Sequence, residues 1–439
     1  MKDNQKSGLT RYFMVGLVLL FSLLSASAAQ AQTRLIVRDS LGLPGINLTC
    51  LVLRCQVLQA VGDPQGQLFV VTLPALLDPV TSLLKLQLGL GVLSVEIDQT
   101  VTTQPADAST TPSYLTDETP TSYYGTTAWH GYVVQPATQL IRNDAAHSAF
   151  NVGGAGVTVA VIDTGVDPTH PVLKLVLLPG YDFTRNQNGA SETNDVSGAA
   201  PNSGSASTAY VNQRTVAVLD QRTVAVLDNQ KYAAFGHGTM TAGLVHLVAP
   251  QAKIMPLKAF HADGTAYDSD ILRAIYYAVK NGADVISMSF NYTTYSPELA
   301  TAIRYANSNG VISVASAGND GQRTVTYPGG FAGVIDVAST SNNDIQSTFT
   351  NYGAPPVWLA APGEGVVTTY PWSTYAAGWG TSFSTPLVAG TAALMLGAHG
   401  NCPTPLVPAG LARADWISDL DLGFGRLDTY NAVQACHRN

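Results

Sequence analysis

Short apolar runs alternate with helical patterns from about residue 129 to the C-terminus. The runs Val157–Ile162, Val285–Met288 and Val334–Ala338 are apolar at most positions, and apolar residues at helical spacing mark 270–281 and 296–309. Strands with few polar positions are typical of parallel sheets that helices cover on both faces. The pattern therefore predicts an α/β fold of three layers, αβα, with a mostly parallel central sheet.

A different order of elements is predicted for residues 34–99. The predicted strands are Leu35–Val37, Gln56–Val61, Leu68–Leu73 and Val92–Ile97, and the predicted helices are 46–54 and Asp78–Leu88, the latter with Asp78 as its cap. The resulting order, β-α-β-β-α-β, is typical of a small ferredoxin-like α+β domain.

The N-terminus has the composition of a secretory signal. Basic residues precede an apolar run from Tyr12 to about Leu24, and small residues then end in Ala29-Gln30-Ala31. The run is shorter than the ~20 residues of a spanning helix, which favours a cleaved signal peptide over 1–31 rather than a membrane anchor. We therefore expect a secreted or periplasmic protein.

The stretch 100–127 is rich in Thr, Ser, Pro and Asp and has almost no aliphatic residues. This composition predicts an extended linker with a processing site, between a small domain at 32–99 and a large one at 128–439.

A second polar stretch, Arg185–Ser207, is predicted to be a flexible loop. A tandem octapeptide follows it, because QRTVAVLD occurs at Gln213–Asp220 and again at Gln221–Asp228. Two copies are too few for a solenoid, so we interpret them as a duplication that adds a hairpin beside the sheet.

The composition narrows the classes of partner. Charged residues are 12% of the 439 residues, the net charge is −8, and no block of Lys or Arg occurs. Nucleic-acid binding needs a clustered positive face, so no nucleic-acid partner is expected. A monomer is the default expectation.

The four cysteines form two pairs that are close in sequence. Export permits disulfides, so Cys50–Cys55 and Cys402–Cys436 is the natural choice among three connectivities, with four buried free thiols as the alternative. The sequence has neither a CxxC motif nor a cluster of Cys with His, so no zinc site is predicted.

Asp163 follows the apolar run Val157–Ile162 in the segment VAVIDTGVD. The carboxyl ends of strands are where open α/β sheets bind ligands, so this carboxylate is a candidate site residue; a turn residue is the alternative. A dinucleotide fingerprint would follow the strand, whereas the glycines of GGAG precede it. An aspartic protease would need a second DTG or DSG, which is absent.

Three further residues have comparable sequence contexts. His237 lies in GHGTMTAG, where two glycines let the backbone and a substrate approach the ring. Ser382 lies in GTSFSTPLVAG at the start of a predicted buried helix, as a cap or a nucleophile. Asn319 lies after a strand in SVASAGND, as a turn residue or an oxyanion donor. Together with Asp163 they supply an orienting carboxylate, a base, a nucleophile and a donor.

With these four segments in view, the chain resembles the subtilisin-like serine proteases, or subtilases. The resemblance covers about residues 129–435, and it rests on VAVIDTGVDPTHP, GHGTMTAG, ISMSF, SAGND and GTSFSTPLVAG in the family's order Asp, His, Ser. It implies a subtilisin-like fold, a triad of Asp163, His237 and Ser382 that acts through an acyl-enzyme, and Asn319 as the oxyanion donor.

The resemblance also implies a secreted zymogen that hydrolyses proteins or peptides. Its ferredoxin-like propeptide at 32–99 would inhibit the active site and be removed by autoprocessing. No cofactor is required for this chemistry.

The family binds extended substrates as an added strand, which implies pairing on both sides of the substrate. The residues that correspond to these two sides are Ser289, Phe290 and Asn291, and Gly264, Thr265 and Ala266. In the specificity pocket, Thr326 stands where many members have Gly, and the segment at Phe290 is also bulkier. The added volume predicts a constricted pocket that favours small side chains before the scissile bond.

Two departures from the family concern metal binding and the surroundings of the triad. Val172 follows THP where many members have an Asp that binds calcium, so no metal ligand is assigned. The polar stretch with Glu192, Asn194 and Asp195 is the alternative calcium site. Met240-Thr241 replaces a common His-Val, a change that we expect to be tolerated.

Two other functions remain to be compared with the peptidase. A catalytically silent relative would bind peptides or display a surface, but all four predicted site residues are present. An esterase would have a Gly-x-Ser-x-Gly elbow with Ser before Asp before His, and the sequence has neither feature.

Overall fold

Apolar strands near the N-terminus form a small antiparallel sheet. A computed structural model describes residues 33–73, 79–102, 111–196, 215–218, 230–353, 355–398, 402–418 and 420–437. The chain divides into two units, Met1–Ala60 with Gln67–Ile97 and Val61–Gly66 with Asp98–Asn439. The predicted signal peptide at 1–31 and the second octapeptide at Gln221–Asp228 lie outside the described residues.

The first unit has the predicted ferredoxin-like order of elements. These are β1 Arg34–Asp39, α1 Gly42–Leu53, β2 Gln56–Ala60, β3 Leu68–Thr72, α2 Pro79–Gln87 and β4 Val92–Ile97. The strands pair antiparallel in the order β2-β3-β1-β4. Leu35, Val37, Ile46, Phe69 and Val71 form its core, because alternate strand residues point to the helix-covered face. The predicted cap Asp78 is outside the described residues.

The second unit contains a mostly parallel central sheet, which confirms the predicted α/β class. Its strands among the described residues have the order β10-β9-β12-β8-β14-β15-β16-β17, and only the hairpin β9–β10 is antiparallel. Their bounds are β8 Thr158–Asp163, β9 Tyr181–Asp182, β10 Gln187–Asn188, β12 Lys253–Lys258, β14 Val285–Met288, β15 Ile312–Ser316, β16 Val334–Thr340 and β17 Leu359–Pro362.

Smaller sheets and further helices also occur in the described part of this unit. The remaining strands are β5 Thr100–Thr102, β6 Pro120–Tyr123, β7 Thr126–Trp129, β11 Thr215–Val218, β13 Thr265–Tyr267, β18 Val366–Tyr370 and β19 Thr374–Trp379. The helices are α3 His130–Val133, α4 Pro136–Leu140, α5 Asn143–Phe150, α6 His237–Val248, α7 Asp268–Lys280, α8 Pro297–Ser308, α9 Thr381–Leu396, α10 Val407–Leu411 and α11 Thr429–His437. Short 3₁₀ helices lie at Ser113–Thr116, Glu192–Val196, Gln230–Tyr232, Thr404–Leu406 and Leu420–Leu422.

Two buried helices pack on one face of the central sheet. Helix α6 is buried at every residue, and α9 is buried from Thr381 to Met395. Their apolar residues share one core with Val159, Val161 and Val337, which lie on alternate strand positions. Helix α6 begins at His237 directly after Gly236, and α9 begins at Thr381 directly after Gly380.

The predicted linker at 100–127 has buried residues in its described part. Residues 111–127 are part of the second unit, because Leu115 is fully buried and Tyr123 packs in its core. The Tyr114 hydroxyl donates to Gly365 O at 2.7 Å. A few apolar and aromatic side chains therefore anchor a stretch that is otherwise polar, and the large domain begins before residue 128.

The predicted flexible loop at Arg185–Ser207 is also corrected over its first part. Residues 187–188 form β10, and the 3₁₀ helix that follows buries Glu192 completely. The first octapeptide contributes β11, which pairs antiparallel with β19 in the sheet β11-β19-β18 among the described residues. Within those residues, no helix has the length and hydropathy needed to cross a bilayer.

Both predicted disulfides are present, Cys50–Cys55 in the first unit and Cys402–Cys436 in the second. The second bond joins the segment after α9 to α11 across 34 residues of sequence. A cross-link that closes a loop of this length reduces the entropy of the unfolded chain.

We predict that replacing Cys402 and Cys436 by Ala lowers the free energy of unfolding of the second unit by about 3 kcal/mol. All five tryptophans lie in this unit, so tryptophan fluorescence during urea unfolding measures it selectively. The control replaces Cys50 and Cys55 by Ala, which removes a short loop of the first unit. An equal change of the fluorescence transition in both variants would contradict the prediction.

Candidate active site

Asp163 is the last residue of β8, at the carboxyl edge of the central sheet. Its Oδ1 accepts a hydrogen bond from Thr164 N at 2.7 Å and lies 2.6 Å from His237 Nδ1. Its Oδ2 accepts from Thr241 Oγ1 at 3.1 Å. The side chain is buried, so these donors replace the water that a carboxylate otherwise requires.

His237 is the first residue of α6 and follows Gly236, whose φ is +93°. A Cβ at Gly238 would lie 1.9 Å from Gly165 O, so only glycine permits this approach of the helix to the loop after β8. Contact with a carboxylate makes Nδ1 the protonated nitrogen, which leaves Nε2 as the acceptor of the neutral ring. Nε2 is buried and has no hydrogen-bond partner.

Ser382 is the second residue of α9, and its hydroxyl does not bond to His237 in the structure. Ser382 Oγ donates to Ser289 O at 2.9 Å, and Ser289 Oγ donates to Ser382 O at 2.9 Å. The imidazole is nevertheless adjacent, because its ring centroid lies 5.9 Å from that of Phe383.

Pro386 explains why Ser289 reaches the carbonyl of Ser382. Proline lacks the N–H that would otherwise donate to the carbonyl four residues earlier, and that carbonyl belongs to Ser382. The Ser289 hydroxyl supplies the missing donor. The end of β14 is thereby tied to the first turn of α9.

Asn319 lies just beyond β15, and its side-chain orientation is fixed. Its Oδ1 accepts from Thr381 N at 2.9 Å and from Thr381 Oγ1 at 3.0 Å. A backbone N–H can only donate, so the oxygen of the amide must face Thr381. The Nδ2 group remains as the donor, adjacent to the residue that precedes Ser382.

The predicted substrate-binding residues lie on two segments. Thr265 and Ala266 begin β13, directly after Gly264, and β13 pairs antiparallel with β5, so residues 100–102 occupy its edge. On the other side, Phe290 is buried against Phe260 with ring centroids 4.9 Å apart. The edge of β13 is therefore paired with an extended segment of this chain.

The residue predicted to constrict the specificity pocket is buried next to the second segment. Tyr292, one residue after Asn291, exchanges two backbone hydrogen bonds with Tyr327, at 3.0 and 2.8 Å. The preceding residue, Thr326, is 1% exposed, and its Oγ1 donates to Ala317 O at 2.8 Å. The structure thus brings Asn291 and Thr326 close to each other in space.

At the positions compared with calcium ligands, Val172 supplies no side-chain ligand, and Glu192 and Asp195 already have protein partners. Val172 is fully buried and has no donor atom. Asp195 binds Lys258 Nζ at 2.8 Å and also contacts Arg185, so cations already neutralise it. Glu192 accepts protein hydrogen bonds at both oxygens. No group of three or more metal-binding side chains occurs in the described part of the chain.

A serine at a helix N-terminus beside a carboxylate–imidazole pair, on a parallel α/β sheet, is typical of serine hydrolases. The family model described as the Subtilase family matches residues 154–413. Thermitase from Thermoactinomyces vulgaris is 33% identical over 293 residues, which are 64% of this chain and 90% of thermitase. The chain therefore belongs to the subtilase family of serine endopeptidases, which need no cofactor for catalysis.

Other relatives show the same family. A thermophilic serine proteinase from Bacillus sp. (strain AK1) is 32% identical over 330 residues, 73% of this chain and 71% of that protein. Subtilisin BL from Lederbergia lenta is 34% identical over 268 residues, 58% of this chain and 81% of its own length.

Thr241, where a tolerated change is predicted from the sequence, donates its hydroxyl to Asp163. We predict that Thr241→Val, which keeps the shape and removes this donor, lowers kcat/KM about fivefold, the equivalent of about 1 kcal/mol. The measurement is kcat/KM on a peptide substrate, with Thr241→Ser as the control that keeps the hydroxyl. Unchanged kcat/KM in the valine variant would mean that the hydroxyl proton goes to Gly238 O, its other acceptor at 3.2 Å.

Proposed function

We propose that the protein is a secreted serine endopeptidase in which Asp163, His237 and Ser382 form the catalytic triad. The main support is the 2.6 Å contact between Asp163 Oδ1 and His237 Nδ1, which leaves Nε2 of the same ring without a partner. Nε2 is then the basic nitrogen that can take a proton from a nucleophile. The substrates are proteins or peptides.

The reaction would be acyl transfer to Ser382. A rotation about the Cα–Cβ bond of Ser382 would move Oγ from Ser289 O to His237 Nε2, with the backbone held by α9. His237 takes the proton as Oγ attacks the peptide carbonyl, and then gives it to the leaving amine. Asp163 stabilises the imidazolium. Water then repeats the two steps on the acyl-enzyme and releases the acid product.

Two N–H groups would stabilise the oxyanion. Asn319 Nδ2 is one, because Thr381 holds its Oδ1 and leaves the amino group to donate. The backbone N–H of Ser382 is the other, because N–H groups in the first turn of a helix have no intrahelical partner. Fixed donors of this kind favour the charge that develops in the transition state.

We further propose that the protein is made as a zymogen with a signal peptide at 1–31 and a propeptide at 32–99 that inhibits its own peptidase. The support is the pairing of β5 with β13, since residues 100–102 lie on the edge expected to bind substrate. Leu115 is anchored in the core of the second unit. Processing is therefore expected between residues 103 and 112, and the mature enzyme is expected to be a monomer.

Active-site labelling tests this function. We predict that a fluorophosphonate probe labels Ser382 in a shortened chain whose new N-terminus lies within 103–112, as read by peptide mass spectrometry. Ser382→Ala should remain unlabelled and unprocessed. A folded, shortened chain without label would instead favour the catalytically silent relative, and label on another serine would refute the assignment of Ser382.

A separate prediction concerns which side chains the proposed specificity pocket at Thr326 accepts. We predict that Thr326→Gly raises kcat/KM for substrates with Phe or Tyr before the scissile bond by about tenfold relative to Ala, because it removes buried volume from a constricted pocket. Thr326→Ser is the matched control, since it keeps the hydroxyl that bonds to Ala317 O. Efficient cleavage after large aromatic residues by the unmodified enzyme would contradict the constriction.

A further inference from the structure

Glu192 is a fully buried carboxyl group at the start of the 3₁₀ helix Glu192–Val196. Its Oε2 accepts hydrogen bonds from Thr164 Oγ1 at 2.8 Å and from Gly236 N at 2.9 Å. Its Oε1 accepts from both N and Oγ1 of Thr239, the former at 3.1 Å. A buried carboxyl group is tolerated only with such partners, and here both oxygens have two donors.

These donors flank the two residues of the carboxylate–imidazole pair. Thr164 directly follows Asp163 at the end of β8, and Gly236 directly precedes His237 at the start of α6. Glu192 therefore joins the strand end to the helix start through a single side chain. Its hydrogen bonds end one residue away from each partner of the 2.6 Å contact.

The two threonine hydroxyls extend the connection. Thr164 Oγ1 accepts from Gly238 N at 2.9 Å, and Thr239 Oγ1 accepts from Asp167 N at 2.8 Å. Each hydroxyl has one proton, and both protons are directed to Glu192. The carboxyl group thus sets the direction of hydrogen bonds in the first turn of α6 and in the loop after β8.

We propose that Glu192 is a positioning residue for the peptidase reaction, which holds Asp163 and His237 in the geometry that proton transfer requires. The proposal rests on the triad proposed above and adds a residue from a segment outside the motifs of that triad. Misplacement of a reacting group by about 1 Å can reduce a rate by about 100-fold, so a support of this kind has a kinetic effect.

Burial and the neighbouring hydrogen-bond donors act on the pKa of Glu192 in opposite directions. Burial raises the pKa of Glu192 to about 8, and the charge of Asp163 acts in the same direction. The hydrogen bonds from Thr239 and Thr164 and the charge of Lys258 act in the opposite direction. Lys258, the last residue of β12, is held through Nζ by Thr164 O at 2.8 Å, by Phe260 O and by Asp195, so a fixed cation contacts the loop after β8.

The test compares kcat and KM of Glu192→Gln with those of the parent enzyme. The concentration of active sites in each preparation is first determined by titration with the fluorophosphonate, so that kcat is given per active site. In Glu192→Gln, an NH₂ group replaces one of the two oxygens that accept hydrogen bonds. The donors on that side of the side chain lose their acceptor, so the connection is broken on one side. We expect kcat to fall about 100-fold while KM stays within about twofold, because Glu192 bonds to Thr164, Gly236 and Thr239, which flank the carboxylate–imidazole pair.

A second pair of variants covers the case in which Glu192→Gln does not fold. Thr164→Val removes the hydroxyl that links Glu192 to Gly238 and is expected to lower kcat about tenfold, whereas Thr164→Ser keeps the hydroxyl and should retain kcat. Asp428→Asn is the matched control. Asp428 is a buried carboxylate that binds Arg142 and Asn431 N, and its change should lower stability without altering kcat per active site.

The outcomes separate this proposal from the proposed function. The role of Glu192 alone would be overturned if the parent is labelled on Ser382 but Glu192→Gln has an unchanged kcat. Equal kcat values in Thr164→Val and Thr164→Ser would overturn it as well. A fall in kcat that Asp428→Asn reproduces would reduce Glu192 to a structural residue. Absence of label on Ser382 of the mature parent would overturn the triad, and the positioning role with it.

Discussion

The contact between Asp163 and His237 is the constraint on which the rest of the site depends. The carboxylate is buried, so protein groups must replace its hydration, and they come from Thr164, directly after β8, and from the first two turns of α6. The helix must therefore lie against the strand end before the imidazole can be oriented. The glycine at 238 permits this approach, because any side chain there would overlap Gly165 O.

Much of this arrangement could be predicted from local sequence. Parallel strands buried on both faces leave a clear apolar signal, so the central sheet and the position of Asp163 at a strand end followed from the pattern. Glycines on both sides of one histidine distinguished His237 from the seven others. The small antiparallel unit was likewise predictable, because its elements alternate over short distances.

Features that depend on distant contacts could not be predicted. Glu192 lies in a stretch whose polar composition indicates a loop, and only the fold shows that four donors surround its carboxyl group. Leu115 and Tyr123 are isolated apolar residues in a polar segment, and composition alone gives them no partner. The hydroxyl direction of Ser382 is a side-chain torsion, which depends on the carbonyl of Ser289 rather than on any motif.

The proline in helix α9 has a consequence for how this sequence can change. Pro386 leaves the carbonyl of Ser382 without a helical donor, and Ser289, almost a hundred positions earlier in the chain, provides one instead. With proline at 386, loss of the Ser289 hydroxyl would leave a buried carbonyl unsatisfied, whereas an N–H at 386 would supply that carbonyl with a donor of its own. The two positions form an epistatic pair, so selection acts on them jointly although they lie in separate motifs.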